Sequence, residues 1–287
     1  MNDFELREKE MNHLVSERRR AWNKLAVGMI ITGAVLFVAG GIFGSIVGDK
    51  YEEKIDVMEA DTQSEEYSAE NIKDVNIDVG VGNVTLVKSA DDKVHVNGMN
   101  VPNDYNVETS GGVLNIRVVN DNVGPFDWDD SMQLTIELPE NDYKNLSVDI
   151  GAGEFYADDV TCDKVEINVG AGDAALTNFT CKDGVKLQVA TGHMEMGELK
   201  TGGTLEAKVG LGKINIESAA TSGLKVDVGF GNLVFSGNVK GNIDAKCGKG
   251  NCDIFLENTK ADFEKNNYRV NIQGGIGDLN INYADEE

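Results

Sequence analysis

Apolar residues occupy every second position in short runs, and each run ends at a Gly-x-Gly corner. The corners are Ile150-Gly151-Ala152-Gly153, Val169-Gly170-Ala171-Gly172, Val189-Ala190-Thr191-Gly192, Val209-Gly210-Leu211-Gly212, Val228-Gly229-Phe230-Gly231 and Cys247-Gly248-Lys249-Gly250. Their steps are 19, 20, 20, 19 and 19 residues. Outlying copies are Val79-Gly80-Val81-Gly82 and Gly274-Gly275-Ile276-Gly277. With the residue before the first glycine as position 0, apolar residues recur at −4, −2 and 0, as in Val165, Ile167, Val169 or Leu224, Val226, Val228. They return after the corner at +5 and +7, as in Met194 and Met196 or Leu233 and Phe235. Period two predicts strands with one buried face. One repeat therefore reads as strand, corner, strand and looser turn, and a fixed period of this length marks a repeat architecture.

Two all-β architectures suit two strands per repeat: a parallel β-solenoid of 19–20-residue coils, and an antiparallel meander or barrel. The polar columns favour the solenoid. Position −3 carries Glu166, Lys186, Glu206, Lys225 and Asp244, and position −1 carries Lys208, Asp227 and Lys246. The sign alternates at every step. In a solenoid equivalent residues stack directly, where opposite charges help and like charges hurt. In a meander they would stand two strands apart.

The corner glycines are then structural: glycine takes φ > 0 cheaply where a coil must bend sharply. This is the expected role of Gly151, Gly153, Gly170, Gly172, Gly192, Gly210, Gly212, Gly229, Gly231, Gly248 and Gly250. No copy completes G-x-G-x-x-G or a P-loop, and none opens a helical pattern, so nucleotide binding is not expected.

Ahead of the regular copies (146–287) lies a less regular stretch (71–145), expected to form the first coils. Its strand-like runs are Val75-Ile77-Val79, Val84-Leu86, Val94-Val96, Leu114-Ile116-Val118 and Leu134-Ile136-Leu138. An insertion around Glu257–Asn267 precedes the last copy. The terminal strand, Leu279–Tyr283, runs into Asp285-Glu286-Glu287, whose charges are expected to blunt an open edge.

Residues 25–48 hold 24 uncharged, mostly apolar residues, enough for one membrane-spanning helix. The run is too long for a signal-peptide core and lacks a clear cleavage site. Arg18, Arg19, Arg20 and Lys24 precede it and Asp49, Glu52 and Glu53 follow, which predicts a cytoplasmic N-terminal segment (1–24) and an outward C-terminal bulk. Residues 49–70 are acidic and aperiodic and read as an extended tether. The net charge of −23 disfavours nucleic acid as a partner.

The chain also resembles the bacterial putative-adhesin domain family, whose strand repeats carry G-x-G or S-G-D-like corners behind an I-x-L-P segment. Here that segment is Ile136-Glu137-Leu138-Pro139, followed by Leu146-Ser147-Val148-Asp149-Ile150-Gly151-Ala152-Gly153. The resemblance covers about residues 71–287 and implies a right-handed β-solenoid at the bacterial cell surface, in some members near envelope-stress operons. It supplies no catalytic residues, and the family's function is not established.

Candidate chemistry is sparse. Cys162 and Cys181 both stand at +12 of their repeats, on neighbouring coils of a solenoid, and Cys247 and Cys252 fill facing core slots across one corner. An exterior location permits a disulfide in either pair. The acidic loop Asn120–Asp130 offers Asp121, Asp127, Asp129 and Asp130 as a weak calcium set, outside any EF-hand pattern. His193 falls in an outward polar column, and His95 alternates with buried positions. No serine or cysteine is motif-placed beside a histidine and a carboxylate, so no nucleophilic hydrolysis is expected. No cofactor is implied. The expectation is a single-pass cell-envelope protein that binds or scaffolds without catalysis. Its partners would be cell-wall polymer, peptide or another envelope protein. An enzyme on cell-wall polysaccharide and a structural spacer or oligomer subunit are the alternatives.

Overall fold

A computed structural model describes residues 62–101, 105–118 and 132–285. The predicted cytoplasmic segment and membrane span lie outside these residues. Among the described residues no helix is long and apolar enough to cross a membrane.

The regular repeats stack in parallel. The long extended run β8 (Asn145–Thr201) winds through successive coils, and after it each coil contributes two strands. These are β9 (Thr204–Val209) and β10 (Lys213–Thr221), β11 (Gly223–Val228) and β12 (Asn232–Val239), β13 (Ile243–Cys247) and β14 (Asn251–Leu256), then β15 (Val270–Gly274) and β16 (Leu279–Asn282). Leu224 lies between Leu205 and Ile243, and Ile214 between Met194 and Leu233. The register is one repeat per step, and the meander is excluded for these coils. The −4, −2 and 0 columns and the +5 and +7 columns are buried throughout β8–β14 and meet in a single core. Burial of a continuous apolar column, which no single repeat can achieve, is what holds such a stack together.

The alternating charges sit where stacking places them. Lys186 pairs with Glu166, and Lys225 Nζ lies 3.2 Å from Glu206. Lys208 lies beside Asp227, which lies beside Lys246. These groups are largely exposed, so each pair stabilises little.

The second glycine of each corner faces a constraint other than the expected one. Gly153 and Gly172 do have φ of +125° and +141°. From Gly192 onward the corner glycines are not in the left-handed region. There the reason is space. A Cβ on Gly212, Gly231 or Gly250 would lie 2.2, 2.1 or 1.7 Å from the carbonyl oxygen of the glycine one coil below.

The first coils are laid out of sequence order. Strands β2 (Asp74–Val81) and β3 (Asn83–Lys88) form one coil, which is sandwiched. On one side lies β8; on the other lie β6 (Val113–Val118) and β7 (Gln133–Leu138). Beyond these the end is covered by antiparallel strands: β5 (Tyr105–Ser110) on β6, and β4 (Lys93–Met99) on β7 with β1 (Thr62–Ser68) outside it. The strand β1 corrects the described part of the expected 49–70 tether, since Thr62–Ser68 is paired with β4. Its sequence, Thr62-Gln63-Ser64-Glu65-Glu66-Tyr67-Ser68, is polar because it pairs on one side and packs mainly Tyr67, so no apolar alternation betrays it.

The insertion before the last coil holds a short helix, α1 (Lys260–Asn266). Thr259 and Asp262 form a reciprocal capping box, and Asn267 closes the helix in the left-handed conformation. Phe263 is buried edge-on between Tyr268 and Tyr283, with ring centroids 5.7 and 5.6 Å away.

Of the terminal acids, Asp285 does not blunt the last strand. Strand β16 ends at Asn282, and Asp285 lies beyond it, accepting a hydrogen bond from the Lys260 backbone N–H at 3.1 Å. Glu286 and Glu287 lie outside the described residues.

Candidate functional site

Ala152, the middle residue of its corner, is buried; from Ala171 onward the middle residue is exposed, and its identity changes along the stack. It is Ala152, Ala171 and Thr191 in the early coils, then Leu211, Phe230, Lys249 and Ile276. The backbone N–H of Leu211 donates to Ala190 O, that of Phe230 to Gly210 O, that of Lys249 to Gly229 O and that of Ile276 to Gly248 O, at 2.8 Å each. The four tips therefore stand in one file, spanning about 14 Å at the usual strand spacing. Leu211 is 64% exposed, Phe230 62% and Ile276 83%. The Lys249 ammonium lies 5.2 Å from the Phe230 ring centroid, a cation–π contact. Lys208, Asp227 and Lys246 flank the file on the strand before the corner, and Lys213 and Asp278 stand just after their own corners. A largely apolar ridge with a rim of mixed charge thus rises from a chain of net charge −23.

Each tip is set by two stacked glycines, so the backbone beneath it is fixed by close contact rather than by side-chain packing. Sequence reasoning treated the corners as turns and overlooked their middle residues. The signal was present: three small residues give way to leucine, phenylalanine, lysine and isoleucine at the same position.

The predicted site residues fall as follows. All four cysteines are buried and stand as thiols. Cys162 and Cys181 come together on neighbouring coils; the hydrogen bond between them and burial both push the Cys181 thiol up. Cys247 Sγ donates to Gly250 O at 2.9 Å. Burial pushes Cys252 up to about 12 and also raises Cys247. The carboxylates Asp121, Asp127, Asp129 and Asp130 lie outside the described residues. Among the described residues no group of acids, histidines and cysteines is arranged to hold a metal ion.

His193 Nε2 lies 3.0 Å from Glu195 on its own strand. His95 joins a small cluster that the sequence did not reveal. Its Nε2 lies 2.9 Å from Asp91 Oδ1, and Ser89 Oγ donates to the same oxygen at 3.1 Å. The hydrogen bond from His95 holds Asp91 below the usual carboxylate range, helped by the Lys93 backbone N–H. Both the hydroxyl and the imidazole address the carboxylate, not each other. The arrangement orders the turn before β4 and does not give a nucleophile its base.

The family described as Toastrack DUF4097 matches residues 72–287. The chain belongs to this family. Its Toastrack domain accounts for every parallel coil described above, from β2 to β16. No curated protein matches the chain. Among solved structures, it is similar to one described as a putative adhesin from Parabacteroides distasonis. Identity is 16% over 77% of this chain and 97% of that one, with a TM-score of 0.46. A putative cell adhesion protein from Clostridium sporogenes shares 13% identity over 78% and 100% of the two chains, with a TM-score of 0.40. A putative lipid binding protein from Parabacteroides distasonis shares 13% over 78% and 97%, with a TM-score of 0.30.

Proposed function

We propose that this Toastrack protein is a non-catalytic binding module of the bacterial cell envelope. In this reading it is held by a single membrane span over residues 25–48, and its right-handed stack of coils faces outward. The apolar run and its flanking arginines support the anchor and the orientation. The observation that carries the binding role is the exposed ridge Leu211–Phe230–Lys249–Ile276, with its Lys249–Phe230 contact.

The ligand this surface suits is an extended anionic polymer of the cell wall. Phe230 offers a flat face against which the apolar side of a sugar ring stacks. The lysines attract anionic substituents, and a straight file of tips matches a repeating chain. Binding strength should therefore fall as salt rises.

The test uses the full-length protein in detergent, with purified anionic wall polymer, a neutral glycan of similar length and a cationic peptide. Phe230→Ser and Lys249→Glu should each weaken anionic-polymer binding at least tenfold while leaving thermal unfolding unchanged. Equal binding by both variants, or preference for the cationic peptide, overturns the reading. Orientation is tested separately with intact cells: external protease should remove the Toastrack domain and spare an N-terminal tag.

A further inference from the structure

The turn that closes each regular coil carries a buried side chain at position +12. In successive coils it is Cys162, Cys181, Thr201 and Thr221. These positions stack directly. Lys182 Nζ lies 3.7 Å from Asp163 Oδ1, one residue beyond the two cysteines. The Cys181 carbonyl accepts a hydrogen bond from the Gly202 N–H at 3.0 Å, and Ala220 pairs with Lys200, one residue before the two threonines.

In the later coils the hydroxyl ties its own turn. Thr201 Oγ1 accepts from the Gly203 N–H at 3.1 Å. Thr221 Oγ1 accepts from the Gly223 N–H at 3.2 Å and donates to the Gly223 carbonyl at 2.6 Å. Sulfur is a weak donor and a weak acceptor, so cysteine serves this turn poorly. Cys162 Sγ reaches the Lys164 carbonyl at 3.6 Å. The two cysteines also hydrogen-bond each other. Stacked residues of parallel coils lie about 4.8 Å apart, inside the window of about 4.4–6.8 Å between Cα atoms that a disulfide spans.

We propose that Cys162 and Cys181 are a dithiol–disulfide site, oxidised as the coils close, whose bond staples one coil to the next. The oxidant is a small-molecule or protein disulfide outside the cytoplasm, a source that rests on the outward placement proposed above. One thiolate of the pair attacks a sulfur of that disulfide; the donor's S–S bond breaks and its other sulfur leaves as a thiolate. The second cysteine thiolate then attacks the mixed disulfide, the Cys162–Cys181 bond forms, and the donor's remaining sulfur leaves. The pair loses two protons and two electrons, and the donor gains them as two thiols. Exchange belongs to the folding chain, since both sulfurs are buried once the stack has formed. Cys247 and Cys252 are placed otherwise. Their strands, β13 and β14, do not pair with each other, and each cysteine fills an apolar column, Cys247 above Val228 and Cys252 above Leu233. They are expected to stay thiols.

The test refolds reduced, full-length protein from urea into detergent, with either reduced glutathione alone or a mixture of reduced and oxidised glutathione. Free thiols are then blocked in denaturant and peptides are mapped without reduction. The mixture should yield one linked peptide, Cys162 to Cys181, with Cys247 and Cys252 blocked. The urea midpoint should rise by about 1 M or more over the reduced form. The variant with both Cys162→Thr and Cys181→Thr, which repeats the side chain of the later coils, should unfold like the reduced parent and ignore the mixture. Four blocked thiols, or a Cys247–Cys252 link in place of the expected one, overturns the proposal. A Cys162–Cys181 link that leaves the midpoint unmoved overturns the staple. Refolding is independent of topology, so a link in vitro beside free thiols in protein taken from membranes supports the site and counts against the outward placement.

Discussion

Replacing Gly172 by alanine isolates the contact on which the corners depend. Gly172 has φ of +141°, and a Cβ there would lie 1.9 Å from Gly153 O and 3.0 Å from its carbonyl carbon. The backbone conformation alone costs a non-glycine residue roughly 1–3 kcal/mol. Relief of the clash requires the two coils to separate locally, comparable to overpacking a core, at another 1–3 kcal/mol or so. The sum, about 2–6 kcal/mol, is a large fraction of the roughly 5–15 kcal/mol that holds an ordinary domain folded. Two controls bracket it. Gly170→Ala should be milder, since the same column natively accepts Ala190, although its Cβ meets Gly151 O at 2.5 Å. Gly274→Ala, with nothing within 4 Å of its Cβ, should fall within about 0.5 kcal/mol of the parent. Urea unfolding followed by far-ultraviolet circular dichroism reads all three. With a slope near 2 kcal/mol per molar, the Gly172→Ala midpoint should drop by about 1–3 M. Equal midpoints for Gly172→Ala and Gly274→Ala would refute the steric account of the corners.

Three further outcomes follow from local geometry. Thr259→Ala removes the capping-box hydroxyl and should cost about 1 kcal/mol, read as faster hydrogen exchange in α1 with the coils unaffected. The hydrogen bond from Lys186 holds Glu166 below the usual glutamate range. Its small contribution to stability is therefore present at neutral pH and is lost as pH falls through that lowered value. Carboxyl-carbon NMR titration should show the lowered midpoint, and Lys186→Met should return it upward. In reduced protein near pH 8, iodoacetamide should leave all four buried cysteines unmodified until denaturant is added, because burial and raised thiol values both suppress the reactive thiolate. Rapid labelling of Cys181 in native protein would mean that the coil around it opens.

The regular coils were legible because two independent signals agreed. Apolar residues at fixed offsets from each corner named the core, and the sign of Glu166, Lys186, Glu206, Lys225 and Asp244 named the register. Both signals weaken where pairing ceases to be one-coil-on-the-next. Strand β1 escaped notice because an edge strand packing little more than Tyr67 needs no apolar face. The crossing of β2 and β3 between β6–β7 and β8 was invisible, since alternation says which face is buried and not which neighbour lies alongside. The ridge was missed for a different reason. Gly-x-Gly drew attention to its glycines, and the residue between them changes from alanine to leucine, phenylalanine, lysine and isoleucine, so it forms no uniform column.

The sandwiched position of β2 and β3 also governs how the chain must fold. Downstream, a new coil joins one laid down 19–20 residues earlier, as Leu205 does with Val185 and Leu224 with Leu205, or 27 residues earlier at the last coil, as Val270 does with Ile243. The first junction joins Asn145 to Asp74, 71 residues apart. Closing that loop costs roughly 1 kcal/mol more in chain entropy than closing one repeat. Until it forms, β2 and β3 have partners on one edge only, β6 and β7. Downstream coils can assemble rung by rung from local contacts, while the first junction waits on the return of a distant segment. The slow step of folding is therefore placed at the end of the stack nearest the N-terminus, and the smallest unit able to fold must begin no later than Asp74.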